Sequence, residues 1–147
     1  MRAYASRVIP APVDTVWETI RRFDRLCDWH AAVVDGSIDD GRPADSVGAV
    51  RSFHLADGTL VRERLLALND SARELIYGFV TPAFPIDNYI ARIAVSPVTA
   101  NGASFIAWWA DFDEPAGRDG THAALIETHI FAAGLSGLEA FLAERTQ

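Results

Sequence analysis

Six consecutive strand-like segments, followed by one long helical pattern, constrain the fold of this chain more than any other feature. Each segment is rich in β-branched or aromatic residues and is bounded by Gly, Pro, Asn or Asp. The connections between the segments are short, which predicts an antiparallel meander. The segments cover residues 31–38, 47–55, 60–68, 73–80, 88–98 and 103–112.

The residues on either side of the meander complete an α+β arrangement. Residues 4–9 alternate as a strand, residues 12–24 carry apolar side chains at helix spacing, and "RLCDWH" (25–30) predicts a second short helical turn. A long helix is predicted over residues 121–144. A single sheet of seven strands twists and curls, so we expect this helix to cover its concave face.

Composition excludes several classes of function. The chain has 147 residues, the length of one domain, which we expect to span 1–147. Its formal charge is −7 and it has no basic run, so we expect no nucleic-acid partner. All 13 basic residues are arginines, which excludes Schiff-base catalysis by lysine and a P-loop.

The same reading predicts a cytoplasmic protein without cofactor or metal. The N-terminus lacks the apolar region of a signal peptide, and the single cysteine excludes an internal disulfide. No apolar run approaches the roughly 20 residues of a membrane helix, so we expect no membrane insertion. The four histidines lack metal-site spacing.

The hairpin "HLADGTLV" sets the register of the sheet. Gly58 fits the left-handed third position of a three-residue loop, which pairs Phe53 with Val61. Arg51 and Glu63 then lie opposite each other on the apolar face. A buried charge must be paired, so these two are either a structural ion pair or a polar anchor in a ligand pocket.

Carrying the alternation along the chain assigns the other inward residues. Leu75, Tyr77 and Phe79 are expected to face inward, as are the residues of the next strand, namely Tyr89, Ala91, Ile93 and Val95. Both faces of residues 103–112 are apolar, and Trp108 is the better candidate for the inward tryptophan. Trp109 would then lie on an edge or in a subunit contact, which makes a homodimer one expected assembly.

The chain resembles the START-like, helix-grip superfamily, and within it the bacterial polyketide cyclase/dehydrase and lipid-transport-like proteins. The matching elements are "APVDTVWETIRRFDRLCDWH", "VGAVRSF", "DGTLVRERLL", "IYGFVTPAFPIDNY" and "WADFDEP", followed by a terminal helix. The resemblance implies a curved seven-stranded antiparallel sheet wrapped around the C-terminal helix, with two short helices after the first strand and a cavity inside. Members of this superfamily carry lipids, sense hormones or cyclise polyketides.

Given a cavity, Gly134 and Gly137 are interpreted as helix positions that leave room for a ligand, with close helix-to-sheet approach as the alternative. Phe84, between two prolines in "TPAFPIDN", is a candidate lid or a docked loop residue. Trp29 resembles the family's aromatic at the inner end of the pocket, although a residue of this kind is more often part of the core than a ligand contact. The candidate ligand-binding set is Trp29, Arg51, Phe53, Glu63, Tyr77, Phe79, Phe84, Tyr89, Trp108, Gly134 and Gly137.

The leading interpretation is a carrier or sensor of a small hydrophobic ligand of lipid, polyketide or aromatic type. The alternative is a polyketide cyclase/dehydratase-like enzyme in which Arg51, Glu63, His30 and Tyr77 polarise a carbonyl or move protons. His30 titrates near neutrality, but a half-exposed turn histidine is the alternative role. A third interpretation is a partner module for another enzyme, with the outer tryptophan as its docking site.

Overall fold

An antiparallel sheet of seven strands, in the order β1-β7-β6-β5-β4-β3-β2, forms the body of the protein. The computed structural model describes residues 1–115 and 119–145. The strands are β1 (Arg2–Ile9), β2 (Ser37–Ile38), β3 (Val50–His54), β4 (Leu60–Asn69), β5 (Glu74–Thr81), β6 (Asp87–Val98) and β7 (Ala103–Asp113). The predicted α+β helix-grip fold with an antiparallel sheet is confirmed.

Two short helices follow β1, as predicted, and a long helix follows β7. The first two are α1 (Val13–Ile20) and a 3₁₀ helix (Phe23–Asp28), and a further 3₁₀ turn (Asp39–Gly41) follows β2. The long helix, here called the terminal helix, consists of α2 (Thr121–Leu125), a π-helical segment (Ile126–Ala132) and α3 (Ala133–Arg145). It packs along β1 and β7.

The terminal helix is long and apolar enough to cross a membrane by length and composition alone. This corrects the expectation that no segment reaches that length. Core helices of globular proteins pass the same test, and this helix buries Phe131, Leu135, Leu138 and Leu142 against the sheet. These four side chains are therefore accounted for by packing in the core.

The π-helical segment changes which residues of the terminal helix face inward. Regular α-helical spacing predicts one inward face, which consists of Ile126, Ile130, Ala133, Gly137 and Phe141, with Gly134 at its border. The π segment adds about one residue to a turn. After Ile126, the buried face therefore consists of Phe131 and the buried residues of α3 rather than of the predicted residues. Ala133 is exposed as a result.

The predicted hairpin register is confirmed. Arg51 pairs with Glu63 and Phe53 with Val61, and Gly58 has a φ of 90°. The register shifts between Leu65 and Ala67, where a bulge forms. After Leu65, the next inward side chain is therefore that of Leu68, which pairs with Leu75, and not that of Ala67.

The strand expected over residues 31–38 is much shorter than predicted. Regular pairing is confined to Ser37–Ile38, with an isolated bridge between Val33 and Leu55. The Asp35 carboxylate accepts a hydrogen bond from the backbone N–H of His54 at 2.8 Å, in place of a backbone partner. A side chain thus takes over pairing that a longer strand would have supplied.

Candidate functional site

A narrow cavity lies between the concave face of the sheet and the terminal helix, with about 30 Å³ of room for the centres of water molecules. Its walls are mostly apolar and aromatic, as in small-molecule sites generally. Seven of the predicted ligand-binding residues line it. They are Phe53, Glu63, Tyr77, Phe79, Phe84, Tyr89 and Trp108.

Arg51 and Glu63 form a buried ion pair beside this cavity. Arg51 Nε and Nη2 lie 2.9 Å and 2.8 Å from Oε1 of Glu63, and each residue is 5% exposed. Arg51 Nη1 donates to the carbonyl of Phe23 at 3.0 Å. The guanidinium also lies over the rings of Phe23 and Tyr77, 4.0 Å and 4.7 Å from their centroids. Both interpretations of this pair therefore keep structural support.

Glu63 retains one carboxylate oxygen for the cavity. Both contacts of Arg51 end at Oε1, and among the described residues no hydrogen bond reaches Oε2. Burial raises the pKa of Glu63, while the Arg51 guanidinium acts in the opposite direction. Because Glu63 lines the cavity, Oε2 is the oxygen that a hydrogen-bond donor entering there would meet.

Two tyrosine hydroxyls lie near this carboxylate. Trp108 donates its indole N–H to the Tyr77 hydroxyl at 3.0 Å. Burial raises the pKa of Tyr77 and of Tyr89, and the nearby Glu63 charge raises both further. The two hydroxyls therefore stay protonated at neutral pH and act as neutral hydrogen-bonding groups.

His30 is buried and bound to the backbone on both sides. It is 2% exposed, which corrects the half-exposed alternative. Nε2 donates to the carbonyl of Ile130 at 2.7 Å, and Nδ1 accepts the backbone N–H of Ala32 at 3.2 Å. This pattern requires the neutral Nε2–H tautomer, and burial lowers the pKa of His30 accordingly. Neither nitrogen is left to exchange a proton with a ligand.

Gly134 and Gly137 permit close approach and do not open the cavity, which corrects the interpretation based on the sequence. A Cβ on Gly134 would lie 2.7 Å from Cδ2 of His30 and 2.7 Å from Cζ3 of Trp108. A Cβ on Gly137 would collide with the carbonyl oxygen of Trp29. Neither glycine lines the cavity. The missing side chains let the terminal helix contact the 29–31 turn directly.

Trp29 and Arg51 border a smaller chamber rather than the main cavity. The Trp29 ring packs against Trp108, with centroids 5.7 Å apart. Phe84 is partly buried at the mouth of the main cavity, and its ring centroid lies 6.1 Å from that of His122 on α2. Phe79 and Tyr89 stack inside, with centroids 4.1 Å apart.

Sequence reasoning missed part of the cavity wall. Val61 and Leu55 share the inward parity of Phe53, so the alternation alone could have included them. Ile130 follows from the helix pattern. Leu26 lies in the short 3₁₀ helix, and Val33 and Ala83 lie outside the regular strands and helices. In such short or irregular segments no periodicity identifies an inward side chain. The cavity residues absent from the predicted ligand-binding set are Leu26, His30, Val33, Leu55, Val61, Ala83, Ile126 and Ile130.

The curved sheet, the terminal helix and the aromatic cavity define a helix-grip fold built to hold a hydrophobic ligand. A family model for "Polyketide cyclase / dehydrase and lipid transport" matches residues 1–142, and the chain belongs to this family. The predicted resemblance is thereby confirmed. Among the residues the structure describes, no group of three His, Cys, Asp or Glu side chains is placed to hold a metal ion.

Solved structures share this fold over nearly their whole length. An uncharacterised protein from Bacillus thuringiensis is 29% identical and has a TM-score of 0.84, covering 97% of this chain and 99% of its own. A protein from Thermobifida fusca is 30% identical with a TM-score of 0.83, over 94% and 90% of the two chains. Norcoclaurine synthase from Thalictrum flavum, solved with a transition state analogue, is 14% identical with a TM-score of 0.77, over 100% and 96%. At that identity it shows a common fold alone.

Proposed function

We propose that this protein is a carrier or sensor that binds a small, uncharged and mostly apolar molecule in the main cavity. The observation that carries the proposal is the cavity itself, whose aromatic walls surround one carboxylate oxygen and two tyrosine hydroxyls. Apolar walls supply affinity through burial, and a few polar groups orient the ligand. The family description, which includes lipid transport, is in keeping with this role.

The charge of Glu63 limits which ligands are compatible. Its interaction with Arg51 already balances the positive charge in the region. A ligand anion would add an uncompensated negative charge beside Oε2 in an apolar environment, which is costly. A ligand N–H or O–H would instead donate to Oε2 and gain a charge-assisted hydrogen bond. We therefore propose a neutral ligand with at least one hydrogen-bond donor.

The family description also includes cyclases and dehydrases, so a catalytic role is the second candidate. Glu63 and Tyr77 remain placed to contact a ligand, whereas the hydrogen bonds of His30 remove it from the proposed proton-transfer set. The carrier proposal needs only binding, which the cavity supports without a proton-transfer residue.

A matched pair of fluorescent probes tests the proposal. N-phenyl-1-naphthylamine is neutral and carries one N–H donor, and 1-anilinonaphthalene-8-sulfonate is the same molecule with an added anion. We expect the neutral probe to bind with enhanced fluorescence and the sulfonate to bind at least ~10-fold more weakly. Glu63→Gln, which keeps the shape and removes the charge, should narrow this difference.

Two alanine-to-tryptophan variants locate the binding site. Ala83 is partly buried and lines the cavity, so Ala83→Trp should block entry of the neutral probe. Ala124 is exposed on α2, and Ala124→Trp should leave binding unchanged. Equal loss in both variants, or binding of the sulfonate in preference to the amine, would contradict the proposal. Circular dichroism melting of each variant confirms that the compared proteins are folded.

A further inference from the structure

One buried side-chain donor has no hydrogen-bond partner among the described residues, and it belongs to Trp29. Trp29 is 6% exposed, and its indole Nε1 is buried. Two other indoles are paired: Trp17 donates to Asp70 at 2.8 Å and Trp108 donates to Tyr77 at 3.0 Å. An unpaired buried donor costs about 1–3 kcal/mol. Donors of this kind are nearly always satisfied by protein groups or ordered water.

The same tryptophan forms part of a small inner chamber behind the main cavity. The chamber has about 10 Å³ of room for the centre of a water molecule, which is close to the minimum for one water. It is bordered by Trp29, Arg51, Tyr77, Trp108 and four aliphatic side chains. Leu26, Tyr77 and Trp108 border both this chamber and the main cavity. A ligand in the main cavity would therefore lie next to the chamber.

Arg51 supplies further donors at this chamber. A guanidinium carries five N–H groups. The Nε–H and one Nη1–H donate to Glu63 and Phe23, and Nη2 contacts Glu63. Among the residues that the structure describes, two of the five N–H groups therefore have no partner. The chamber is therefore bordered by the unpaired N–H of Trp29 and by a guanidinium that carries more N–H groups than it has contacts.

We propose that the inner chamber is a binding site for one uncharged acceptor oxygen, held by Trp29 Nε1–H and the free N–H groups of Arg51. The oxygen belongs either to an ordered water or to a carbonyl group of a ligand whose apolar part occupies the main cavity. An anion is disfavoured because Glu63 already neutralises Arg51 and the remaining walls are apolar. The site is separate from Glu63 Oε2, which takes a donor rather than an acceptor.

Crystal structures of the protein alone and with two isosteric probes test this site. Acetophenone carries a carbonyl oxygen, and α-methylstyrene has a methylene group in its place. We expect an oxygen within about 2.7–3.2 Å of Trp29 Nε1 in the free protein. If this oxygen stays when acetophenone binds, the occupant is water. If the acetophenone carbonyl replaces it and α-methylstyrene does not, the site recognises ligand carbonyls.

The absence of any oxygen near Trp29 Nε1, in both the free and the acetophenone-bound crystals, would overturn the inference. An oxygen at Trp29 Nε1 in the free-protein crystal supports the site even if neither probe enters the main cavity, so failure of the proposed function is a distinguishable result.

Indole ¹⁵N–¹H spectra supply a second readout in solution. The chain has four tryptophans, and Trp29→Phe assigns the signal of Trp29 by its loss. Acetophenone should shift this signal more than α-methylstyrene does if a carbonyl occupies the chamber. With water as the occupant, the two probes should shift it equally and the free protein should show a water-to-indole cross-peak. The site would be contradicted if the spectra showed no water-to-indole cross-peak and no difference between the two probes.

Trp29→Phe is also the informative variant for affinity, because it removes the N–H and keeps an aromatic ring. With a carbonyl in the chamber, wild type should bind acetophenone several-fold more tightly than α-methylstyrene, and the variant should lose that preference. Trp109→Phe is the matched control, since Trp109 packs beside Tyr4 on the outer face of the sheet. A preference that survives Trp29→Phe would show that another group recognises the carbonyl.

Discussion

The imidazole Nε2 of His30 lies 2.7 Å from the carbonyl oxygen of Ile130, a contact that spans 100 residues of sequence. This hydrogen bond links the turn after the 3₁₀ helix to the π-helical segment of the terminal helix. The other ring nitrogen, Nδ1, accepts a hydrogen bond from the backbone N–H of Ala32, so one side chain links two backbone segments. Because Gly134 lies against the same imidazole, the helix approaches this turn without an intervening side chain.

Replacing His30 should therefore cost stability. In His30→Phe, the carbonyl of Ile130 and the N–H of Ala32 lose their partners, and each unsatisfied group costs about 1–3 kcal/mol. We expect the free energy of unfolding in urea to fall by about 2–5 kcal/mol. His129→Phe, at an exposed position of the same helix, should change stability by less than about 0.5 kcal/mol. Equal effects at both positions would contradict the role assigned to His30.

The stability of the protein should depend on pH through His30. Burial lowers the pKa of His30 below its ordinary value of 6.5, and the Arg51 charge lowers it further. Below pH 6.5 the unfolded chain takes up a proton that the folded protein excludes. The stability that the folded protein gains from keeping His30 neutral is therefore fully present above pH 6.5 and is lost as the pH falls. Urea unfolding between pH 5 and 8 should show the loss in the wild type.

His30→Gln supplies the comparison for this pH dependence, because glutamine keeps hydrogen-bonding groups and does not titrate. The difference in unfolding free energy between wild type and variant should shrink as the pH falls below 6.5. A difference that stays constant from pH 5 to 8 would show that His30 titrates equally in the folded and unfolded states.

A double-mutant cycle measures the coupling of the buried ion pair. Arg51→Met alone leaves the Glu63 charge buried without a partner, which should cost about 3–5 kcal/mol. The double variant with Glu63→Leu should lose less than the sum of the two single variants, because no unpaired charge remains. Thermal and urea unfolding provide the values. Additive losses would mean that the two side chains are not coupled.

The exposed pair Arg2–Asp111 is the control for this cycle. Its side chains are 59% and 56% exposed, and its Nε–Oδ1 distance of 2.8 Å is close to that of the buried pair. Solvent screening should make its coupling much smaller than that of the buried pair. The contrast between the two cycles shows the effect of burial on two pairs whose Nε–O distances are similar.

The glycines of the terminal helix should resist even the smallest substitution. Alanine favours a helix by about 1 kcal/mol over glycine, yet a Cβ at position 137 meets the backbone oxygen of Trp29. We expect Gly137→Ala to lose about 1–3 kcal/mol of stability in urea unfolding. Ser136→Ala, exposed one residue earlier, should be neutral or slightly stabilising. A stabilised Gly137→Ala would contradict the close approach described here.

The strand pattern, the hairpin register and the part of the cavity wall that lies on strands could be predicted from the sequence, because side chains alternate along a strand. Tyr77 and Tyr89 were placed correctly by that rule, whereas Trp108 was only the favoured tryptophan of a strand whose two faces are both apolar. The role of Gly134 and Gly137 could not be predicted, since a glycine marks both an open space and a tight contact. Distinguishing these requires the position of the His30 turn, which packs against the helix from 100 residues away.

The prediction of the inward face of the terminal helix was wrong for a different reason. Helix periodicity assumes 3.6 residues per turn, and no residue type in Ile126–Ala132 marks the wider turn. The prediction was therefore right at Ile126 and wrong after the π segment. The predicted length of β2 was wrong for a similar reason. The Asp35 carboxylate takes the place of a backbone hydrogen-bond partner, and no periodic pattern in the sequence marks such a side-chain hydrogen bond.

The π-helical segment makes the exact number of residues in the terminal helix matter. Each residue of an α-helix turns the chain by about 100°. Deleting one residue within Ile126–Ala132 would let that segment become regular, and the 13 residues of α3 would keep their orientation. The same deletion placed after Ala133 would rotate Leu138 and Leu142 away from the sheet. A deletion scan along this helix would thus find one tolerant turn, followed by a stretch in which every loss is severe.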